Sequence, residues 1–281
     1  MAYILLSKII AATVIFVIFL VLLKNSLNAI GDVGTGFFSV HWDPSAGLYG
    51  ILPMLYGSAA VTFLSLLMAA PLGLFSALCI SEIVSPKYRI FLKTALELLA
   101  GIPSIVYGLI GMLFISTWVA DIFQLTFGRT ILTASVVLAL MILPTIMTLC
   151  EDALRDVPHK YRESAYGLAL TRFEVIFKVI IPMAKPAIAG AILLGAGRAI
   201  GETMAVMLVI GSIDRIPTPF FNILDPGQTI TSKLGRELGE SSLGSLHFSA
   251  LVTLGLILMV FVAAITFTAR YFFIAEERLY E

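Results

Sequence analysis

The chain has 281 residues, of which 59% are hydrophobic and 13% charged, and its mean hydropathy is +1.01. Soluble domains contain about half apolar and about a quarter charged residues, so this composition excludes a soluble protein and predicts a polytopic membrane protein. The formal net charge is zero, which gives no support for a nucleic-acid partner.

Six apolar stretches predict membrane-spanning helices, because a helix needs about 20 apolar residues to cross the hydrocarbon core of a bilayer. They cover residues 9–23, 54–80, 101–119, 131–150, 187–211 and 248–269. The first stretch is short, but a single lysine precedes it and no clear cleavage site follows it, which favours a span over a signal peptide. The predicted fold class is therefore all-α and integral to the membrane.

The distribution of lysines and arginines predicts the orientation, since cytoplasmic segments carry an excess of them. With the N-terminus inside, twelve of the 18 basic residues fall in cytoplasmic segments, five fall outside, and Arg198 lies in the fifth span. Both termini are therefore predicted to be cytoplasmic. The chain divides into an N-terminal helix with an extracytoplasmic loop (1–50), a transmembrane domain (51–272) and a cytoplasmic tail (273–281).

The two longest outer segments, 24–53 and 212–247, are too short to be catalytic domains, so docking of a partner is their expected purpose beyond connection. Two aromatic runs within them are FFSVHW, residues 37–42, and TPFF, residues 218–221. Aromatic side chains concentrate where a membrane meets water. We therefore predict that both runs form part of an interfacial belt.

Motifs for bond chemistry are missing from the sequence. No G-x-x-x-x-G-K-[ST] motif occurs, so the chain is predicted not to bind ATP through a P-loop of its own. His41, His159 and His247 lie in three different segments, which argues against a metal site or histidine-based catalysis. We expect no enzyme activity and no cofactor here, and any energy for transport would come from another chain.

The long cytoplasmic segment 151–188 is predicted to form two short helices, the first ending before Pro158 and the second covering about 161–169. One face of the second helix is predicted to carry Arg162, Glu163, Ala165, Leu168 and Ala169. Small residues on a short exposed helix suit insertion into a groove of another protein. An amphipathic helix that lies on the membrane surface is the alternative.

The stretch GAGRAIGETMAVMLVIG places Arg198 and Glu202 inside the predicted fifth span. A charge near the bilayer centre costs about 2.5 to 3.5 kcal/mol on insertion scales, so both side chains are expected to face protein or water. Four residues apart on a helix, they would share one face and could form a structural ion pair. A substrate path is the other interpretation, because Gly195, Gly197 and Gly201 leave the helix surface bare.

An oxyanion is the substrate that these two side chains suit. Arg198 offers a planar fork that matches phosphate oxygens. Glu202 can accept the O–H that phosphate still carries near neutral pH, whereas sulfate has no such proton, so Glu202 would select against sulfate. Alternatively, Glu202 only holds Arg198 in position.

The stretch ESAYGLALTRFEVIFKVIIP resembles the E-A-A-x3-G-x9-I-x-L-P loop of ATP-binding-cassette (ABC) importer permeases, in which this helix docks into the ATPase subunit. The residues that match the pattern, or vary it mildly, include Glu163, Ser164, Ala165 and Pro182. Ala169 stands where the family usually has glycine, and an alanine there resists the positive φ that glycine allows. Gly167 is the alternative place for that glycine.

Three further stretches, YGILPMLYGSAAVTFLSLLMAAPLG, ELLAGIPSIVYGLIG and GRAIGETMAV, resemble the C-type permease subunit of phosphate-specific ABC importers. The likeness runs from about Tyr49 to the C-terminus. GRAIGETMAV distinguishes this subunit from its partner permease and from sulfate or molybdate relatives. The resemblance implies a type I importer permease fold over residues 51–272, with a coupling loop at 151–188.

The resemblance also implies partners and site residues in the plasma membrane of a bacterium or archaeon. The partners are a homologous A-type permease, a dimer of ATPase subunits that binds ATP, an extracytoplasmic phosphate-binding protein and membrane lipid, with no nucleic acid. The substrate path would include Arg198, Glu202, Gly197, Gly201 and Thr203. The residues coupling to the ATPase would be Arg162, Glu163, Ser164, Ala165, Ala169 and Pro182.

Three alternatives stay open at this point. The first is an importer of another oxyanion, such as molybdate, tungstate or sulfate. The second is an ion-driven secondary transporter, which would show inverted repeats with interrupted helices. The third is a membrane sensor that reports phosphate status through partners.

Overall fold

The computed structural model describes residues 2–277, except for the side chains of residues 2–4, 86 and 268–277. Met1 and residues 278–281 of the predicted tail lie outside the described residues. Within the described chain, six helical segments are long and apolar enough to cross a membrane, which confirms the six predicted spans. They are Leu5–Phe38, Leu52–Ile83, Ser104–Phe123, Ile131–Arg155, Arg172–Gly201 and Leu246–Phe267.

The first part of the chain carries five helices and a small hairpin. These are α1 (Ala2–Val33), β1 (Trp42–Asp43), β2 (Leu48–Tyr49), α2 (Leu52–Leu78), α3 (Pro86–Ala100), α4 (Ser104–Ile110) and α5 (Ser116–Phe123). The strands pair antiparallel, with Trp42 opposite Tyr49. Asp43 caps the turn between them by accepting hydrogen bonds from the N–H groups of Ser45 and Ala46. A π-helical turn, Gly111–Ile115, joins α4 to α5.

The second part of the chain carries seven helices. These are α6 (Ile131–Arg155), α7 (His159–Gly167), α8 (Arg172–Val175), α9 (Ile181–Gly201), α10 (Met204–Val209), α11 (Ile230–Glu237) and α12 (Leu246–Glu277). Thr171 and Glu174 form a capping box that starts α8, and the π-helical turn Ile176–Ile180 continues α8 into α9. The fifth span therefore begins at Arg172, well before the predicted start at Ala187.

Helix α6 forms the centre of the bundle, packed against α2, α9 and α3. Its side chains Ile142, Ile146 and Leu154 are fully buried. A Cβ on Gly73 would come within 3.0 Å of Ile146 Cγ2, so the glycine allows α2 to approach α6 closely. Helix α1 lies outside this core against α12, and most of its apolar side chains are exposed, as expected for a surface that faces lipid.

The two ends of the bundle carry different elements. Helix α7 follows the C-terminal end of α6, and we call this side the α7 end. The opposite side, the α11 end, carries the hairpin, α11 and the segment before it. That segment reaches the start of α6, where the Ile131 N–H donates to the Asp225 carbonyl at 3.1 Å.

A buried group of charged and aromatic side chains, the Lys233 cluster, holds α11 in place. The Lys233 side chain is 3% exposed and forms ion pairs with Asp214 and Glu237. Its ammonium lies 5.0 Å from the ring centroid of Trp42, and His247 Nε2 lies 3.6 Å from Glu237 Oε2. A buried lysine is tolerated here because two carboxylates and an aromatic face surround its charge.

The prediction of an aromatic belt over residues 37–42 is wrong for its two buried members. Phe37 and Trp42 belong to a hydrophobic cluster that also contains Tyr49 and Leu251. These rings are buried because the hairpin folds back onto α11 and α12 instead of lying along the membrane surface.

The segment after α6 also differs from the prediction. The first predicted short helix is the end of α6, which continues to Arg155, so only the second is a separate helix, α7, and the short helix α8 follows it. Ala165 is buried against the bundle, whereas Leu168 is 77% exposed, so they do not share a face as predicted. The reason is that α7 ends at Gly167, and the residues that follow leave the helical register.

Candidate substrate path and coupling helix

The fifth membrane segment is interrupted at Glu202 and Thr203. Helix α9 ends at Gly201, and the backbone of Glu202 is extended, with φ −72° and ψ 126°. The Glu202 carboxylate accepts a hydrogen bond from the Ala205 N–H at 3.1 Å, as a capping side chain does at the start of a helix. Its carbonyl accepts a hydrogen bond from the Thr231 hydroxyl at 2.7 Å. The predicted continuous helix over 187–211 is therefore wrong.

Arg198 lies half-buried in the last turn of α9. Its Nη1 donates a hydrogen bond to Thr145 Oγ1 at 2.8 Å, and its Nη2 donates a longer one to the Ala100 carbonyl at 3.5 Å. Thr145 lies near the middle of α6, which places the guanidinium at mid-depth in the bundle. The ion pair with Glu202 that the spacing allowed is not formed, because the interruption takes Glu202 out of the helical register.

The partners of Arg198 are neutral groups. Ala100 is the last residue of α3, whose terminal carbonyls carry a partial negative charge. The neighbouring carbonyl, that of Leu99, accepts a hydrogen bond from the Tyr107 hydroxyl at 2.9 Å. In the described part of the chain, Arg198 therefore forms no ion pair, and its hydrogen bonds go to neutral groups.

The glycines near Arg198 have two different roles. A Cβ on Gly195 would come within 2.7 Å of Ile146 Cδ1, so this glycine serves the packing of α9 on α6. A Cβ on Gly197 or Gly201 would meet nothing within 4 Å in the described chain. The helix surface beside Arg198 is thus bare at these two positions, as the sequence predicted.

Thr203 lies where α11 meets the interruption. A Cβ on Gly235 would come within 2.8 Å of the Thr203 methyl carbon, so the glycine allows this close approach. The Thr203 hydroxyl lies 3.4 Å from the Gly201 carbonyl, which accepts from it. Of the predicted path residues, Gly197 and Gly201 therefore lie on open helix surface, whereas Thr203 packs against α11.

At the α7 end, Arg162 connects α7 to two membrane helices. Its Nη1 donates to both carboxylate oxygens of Glu82, at 2.8 and 3.0 Å, and its Nη2 donates to the Leu154 carbonyl at 2.7 Å. Glu82 lies in the π-helical turn that ends the second span. A displacement of α7 would therefore be passed to the ends of α2 and α6.

The other predicted coupling residues lie in different surroundings. Glu163 and Ser164 are exposed on α7, whereas Ala165 is buried. Pro182 lies inside the fifth span, at the start of α9, and not in a loop as predicted. The predicted coupling loop 151–188 is therefore reduced to the residues between α6 and α8.

Ala169 occupies the turn after α7 with a left-handed backbone, φ +59°. Gly167 does not take this role, because it lies within α7 and its φ is outside the left-handed region. The turn is closed by the Leu170 N–H, which donates to the Ala165 carbonyl at 3.3 Å. The sequence thus places an alanine where the backbone favours glycine.

We expect Ala169→Gly to stabilise this turn by about 1 kcal/mol, because an alanine resists a positive φ. Amide hydrogen exchange at Leu170 should then slow by about fivefold. The control is Gly167→Ala. The added Cβ would meet nothing within 4 Å, and residue 167 lies in a helix, where alanine is favourable, so this variant should not destabilise the segment. Faster exchange in Ala169→Gly would contradict this account.

A second charged contact at the α7 end was not predicted from the sequence. Lys93, on α3, forms ion pairs with Glu151 and Asp152 near the end of α6, with 2.9 Å between Lys93 Nζ and Glu151 Oε2. Burial lowers the pKa of Lys93, but the hydrogen bonds to Asp152 and Glu151 raise it by more, so the pKa lies above its usual value. Lys93 therefore stays charged and ties α3 to α6.

Comparison with known proteins identifies the family. Residues 69–274 match the family described as the binding-protein-dependent transport system inner membrane component. The chain belongs to this family. Membership, together with the six apolar spans, makes the chain a multi-pass membrane protein.

Several relatives of this inner membrane component are similar over most of their length. The phosphate transport system permease protein PstC of Mesorhizobium japonicum is 37% identical over 270 residues, which cover 89% of this chain and 81% of the relative. PstC of Xylella fastidiosa is 35% identical over 253 residues, 83% of this chain and 76% of the relative. The probable ABC transporter permease protein YqgH of Bacillus subtilis is 40% identical over 225 residues, which cover 79% of this chain and 72% of the relative.

Solved structures of similar shape show the fold of this inner membrane component. A chain of a bacterial ABC transporter involved in the import of alginate superposes with a TM-score of 0.62 at 17% identity, covering 99% of this chain and 96% of that one. A chain of the MetNI methionine ABC transporter in an inward-facing conformation gives 0.61 at 16% identity, covering 84% and 99%. The predicted type I ABC importer permease fold is confirmed.

Proposed function

We propose that this chain is the C-type permease subunit of an ABC importer that carries inorganic phosphate into the cytoplasm. The observation that carries the proposal is Arg198, a cation at mid-depth that forms no ion pair with a carboxylate of the described chain. Such a guanidinium favours an anion, and its planar fork matches phosphate oxygens. The relatives named as phosphate permeases support the choice of substrate.

The proposed path runs along the bare surface of the fifth membrane segment. Phosphate would pass beside Gly197 and Gly201, where a substrate can approach the helix backbone, and would bind Arg198. Glu202 and Thr203 would line the interruption that follows. Thr145, by accepting a hydrogen bond, would keep the Arg198 guanidinium oriented between binding events.

Glu202 is proposed to recognise the proton of phosphate. No hydrogen bond in this conformation supports the alternative, that Glu202 holds Arg198 in position, because Thr145 and the Ala100 carbonyl accept from Arg198. One Glu202 oxygen accepts from the Ala205 N–H, so the carboxylate is fixed at the interruption. A fixed carboxylate accepts the O–H of phosphate and repels an ion that carries no proton.

We expect Glu202→Gln to raise the ratio of sulfate to phosphate uptake by about tenfold, because the amide can donate to a sulfate oxygen that the carboxylate repels. Initial rates of radiolabelled sulfate and phosphate uptake into proteoliposomes measure this ratio. Glu240→Gln, which changes an exposed glutamate beyond α11, is the matched control. A ratio equal to that of the wild type would remove Glu202 from selectivity.

The remaining partners would attach at the two ends of the bundle. The α7 end is proposed to be cytoplasmic, with both termini, and to receive one subunit of an ATPase dimer on the exposed side chains of Glu163, Tyr166 and Leu168. Arg162 would pass the movement of the ATPase to α2 and α6. An A-type permease would complete the path, and a phosphate-binding protein would dock at the α11 end.

This chain is proposed to make and break no bonds and to carry no cofactor, with ATP bound by the ATPase partner. The test is uptake of radiolabelled phosphate into proteoliposomes that contain this chain, its partner permease, the ATPase and the binding protein. We expect uptake that requires ATP and that excess sulfate or molybdate does not suppress. Suppression by molybdate at equal concentration would favour the other-oxyanion alternative, and uptake without ATP would contradict the ABC mechanism.

A further inference from the structure

A polar cavity lies at the α11 end, and Arg198 is not among the residues that line it. Its volume is about 370 Å³, and we call it the outer cavity. The residues that line it are Arg129, Met207, Gly211, Ser212 and Arg236. They come from three parts of the chain, namely the connection before α6, the end of α10 with the residues after it, and α11.

Two arginines of the outer cavity have no acidic partner. In the described part of the chain, no ion pair involves Arg129. The Arg236 Nη1 donates to the Ser212 carbonyl at 3.1 Å, a neutral partner. Both side chains are exposed to solvent at the cavity. Two guanidinium groups therefore face one cavity without a carboxylate among its lining residues.

Three carboxylates that lie near cavity residues along the chain are engaged elsewhere, and Glu237, which follows Arg236, forms an ion pair with Lys233. Asp214 forms an ion pair with Lys233, and Asp225 Oδ2 lies 3.7 Å from Arg215 Nη2. Nearby positive charges are thus balanced outside the outer cavity and unbalanced inside it. A cavity of this kind raises the local concentration of anions.

The outer cavity also adjoins the proposed path. Met207 lies on α10, about one helical turn after Thr203. A Cβ on Gly235 would lie 2.8 Å from the Thr203 methyl and 3.6 Å from Met207 Sδ, so α11 covers both the interruption and the cavity wall. Helix α10 therefore leads from the outer cavity to Glu202.

We infer that the outer cavity is a second anion site, which binds inorganic phosphate through Arg129 and Arg236 before the ion reaches Arg198. The order of the two sites rests on the proposed direction of transport. Guanidinium groups without a proton acceptor bind phosphate and sulfate alike. The outer cavity therefore captures the oxyanion, and selection between oxyanions follows at Glu202.

The first test measures anion binding without transport. Inorganic phosphate is titrated onto the purified whole importer, without binding protein, and the phosphorus NMR linewidth reports exchange with bound phosphate. We expect line broadening to persist in Arg198→Gln and to fall severalfold when Arg129→Gln and Arg236→Gln are added. Arg215→Gln, which removes the same charge at the same end outside the cavity, should change nothing. Loss of broadening in Arg198→Gln alone, or its persistence in the triple variant, would overturn the inference.

The second test measures uptake at saturating concentrations of phosphate-loaded binding protein. The Arg129→Gln/Arg236→Gln variant should lower the saturated rate by about tenfold, since electrostatic capture changes association rates by factors of this order. Its affinity for the binding protein should not change. A weaker affinity with an unchanged saturated rate would assign the arginines to docking and overturn the inference. Absence of phosphate uptake in the wild type would count against the proposed function, while the binding test would still decide on the outer cavity.

Discussion

Replacing Arg198 by glutamine should reduce phosphate uptake by about 100-fold or more, because removing one side of a half-buried, charged contact costs several kcal/mol. The guanidinium belongs to the same last turns of α9 as Gly197 and Gly201, whose surface is bare. Glutamine keeps the length and hydrogen-bonding capacity of the side chain in part but removes the charge. The expected loss therefore reports the electrostatic contribution to substrate binding.

The measurement is phosphate uptake into proteoliposomes containing the complete importer, with ATP hydrolysis recorded in the same samples. Hydrolysis and assembly should persist in Arg198→Gln, because Arg198 hydrogen-bonds Thr145 of α6 and the Ala100 carbonyl of α3, and neither group lies on α7, the proposed coupling helix. Arg198→Lys should retain part of the uptake, since the charge remains without the planar fork. Thr145→Val should have a smaller effect, because it removes only the group that orients the guanidinium.

Losing a charged contact to the substrate should change binding by more than the factor of ten that corresponds to about 1.4 kcal/mol. Uptake by Arg198→Gln within about twofold of the wild type would therefore mean that Arg198 serves packing alone. The phosphate assignment would then rest on similarity to the named relatives. Loss of uptake together with loss of assembly would indicate a folding defect in Arg198→Gln. Arg198→Lys should then restore assembly, so that the effect on uptake can be measured without the folding defect.

Replacing Lys233 by methionine should destabilise the α11 end by about 2 to 3 kcal/mol, because it leaves two carboxylates without their shared cation. This value is below the range for a fully buried pair because Asp214 and Glu237 are about a quarter exposed, at 23% and 27%. Methionine keeps the volume of the lysine stem, so the change in packing is small. The loss should therefore come from the charge.

Thermal unfolding of the purified importer checks this expectation, with the variant losing stability first at the α11 end. Lys178→Met is the matched control, because Lys178 also pairs with a glutamate four residues away but its side chain is 63% exposed. That control should leave the unfolding temperature unchanged, since exposed pairs contribute little. The triple variant Lys233→Met, Asp214→Asn and Glu237→Gln should recover most of the loss. A triple variant as unstable as Lys233→Met would show that the cluster stabilises through packing.

The hairpin makes the same cluster a link between the N-terminal segment and α11. Trp42 lies over the Lys233 ammonium, and its ring contacts Tyr49 at 5.2 Å between centroids. These contacts hold α11 against the interruption at Glu202 through the Thr231 hydroxyl. We therefore expect the order of the α11 end to depend on the Lys233 cluster.

The sequence by itself determined the class, the six spans and the approximate location of the short helix α7. Crossing a bilayer requires only length and hydropathy, so each span can be recognised without its neighbours. The short helix α7 was recognisable because Pro158 and the small residues after it mark its start and character. The family could be identified from sequence because its characteristic motifs are short continuous stretches, which need no knowledge of the tertiary structure.

The tertiary structure alone decided the contacts of the charged residues. Arg198 binds Thr145, 53 residues earlier, and Ala100, 98 residues earlier, and Arg162 binds Glu82, 80 residues earlier. A helical pattern in sequence relates only residues three or four positions apart, so it could offer Glu202 as a partner of Arg198 but none of these distant groups. The sequence signal for such contacts was weak: it consisted of polar residues inside spans, such as Thr145 after Pro144, which could be partners of a buried charge.

The interruption of the fifth span was decided in the same way. No proline marks the position, and Gly201 alone does not end a helix in an apolar segment. The helix ends there because the Glu202 side chain caps α10 and the hydroxyl of Thr231, brought by α11, binds the Glu202 carbonyl. Local sequence therefore determined which residues could enter the membrane, whereas packing between distant helices determined where the path opens and which charges face it.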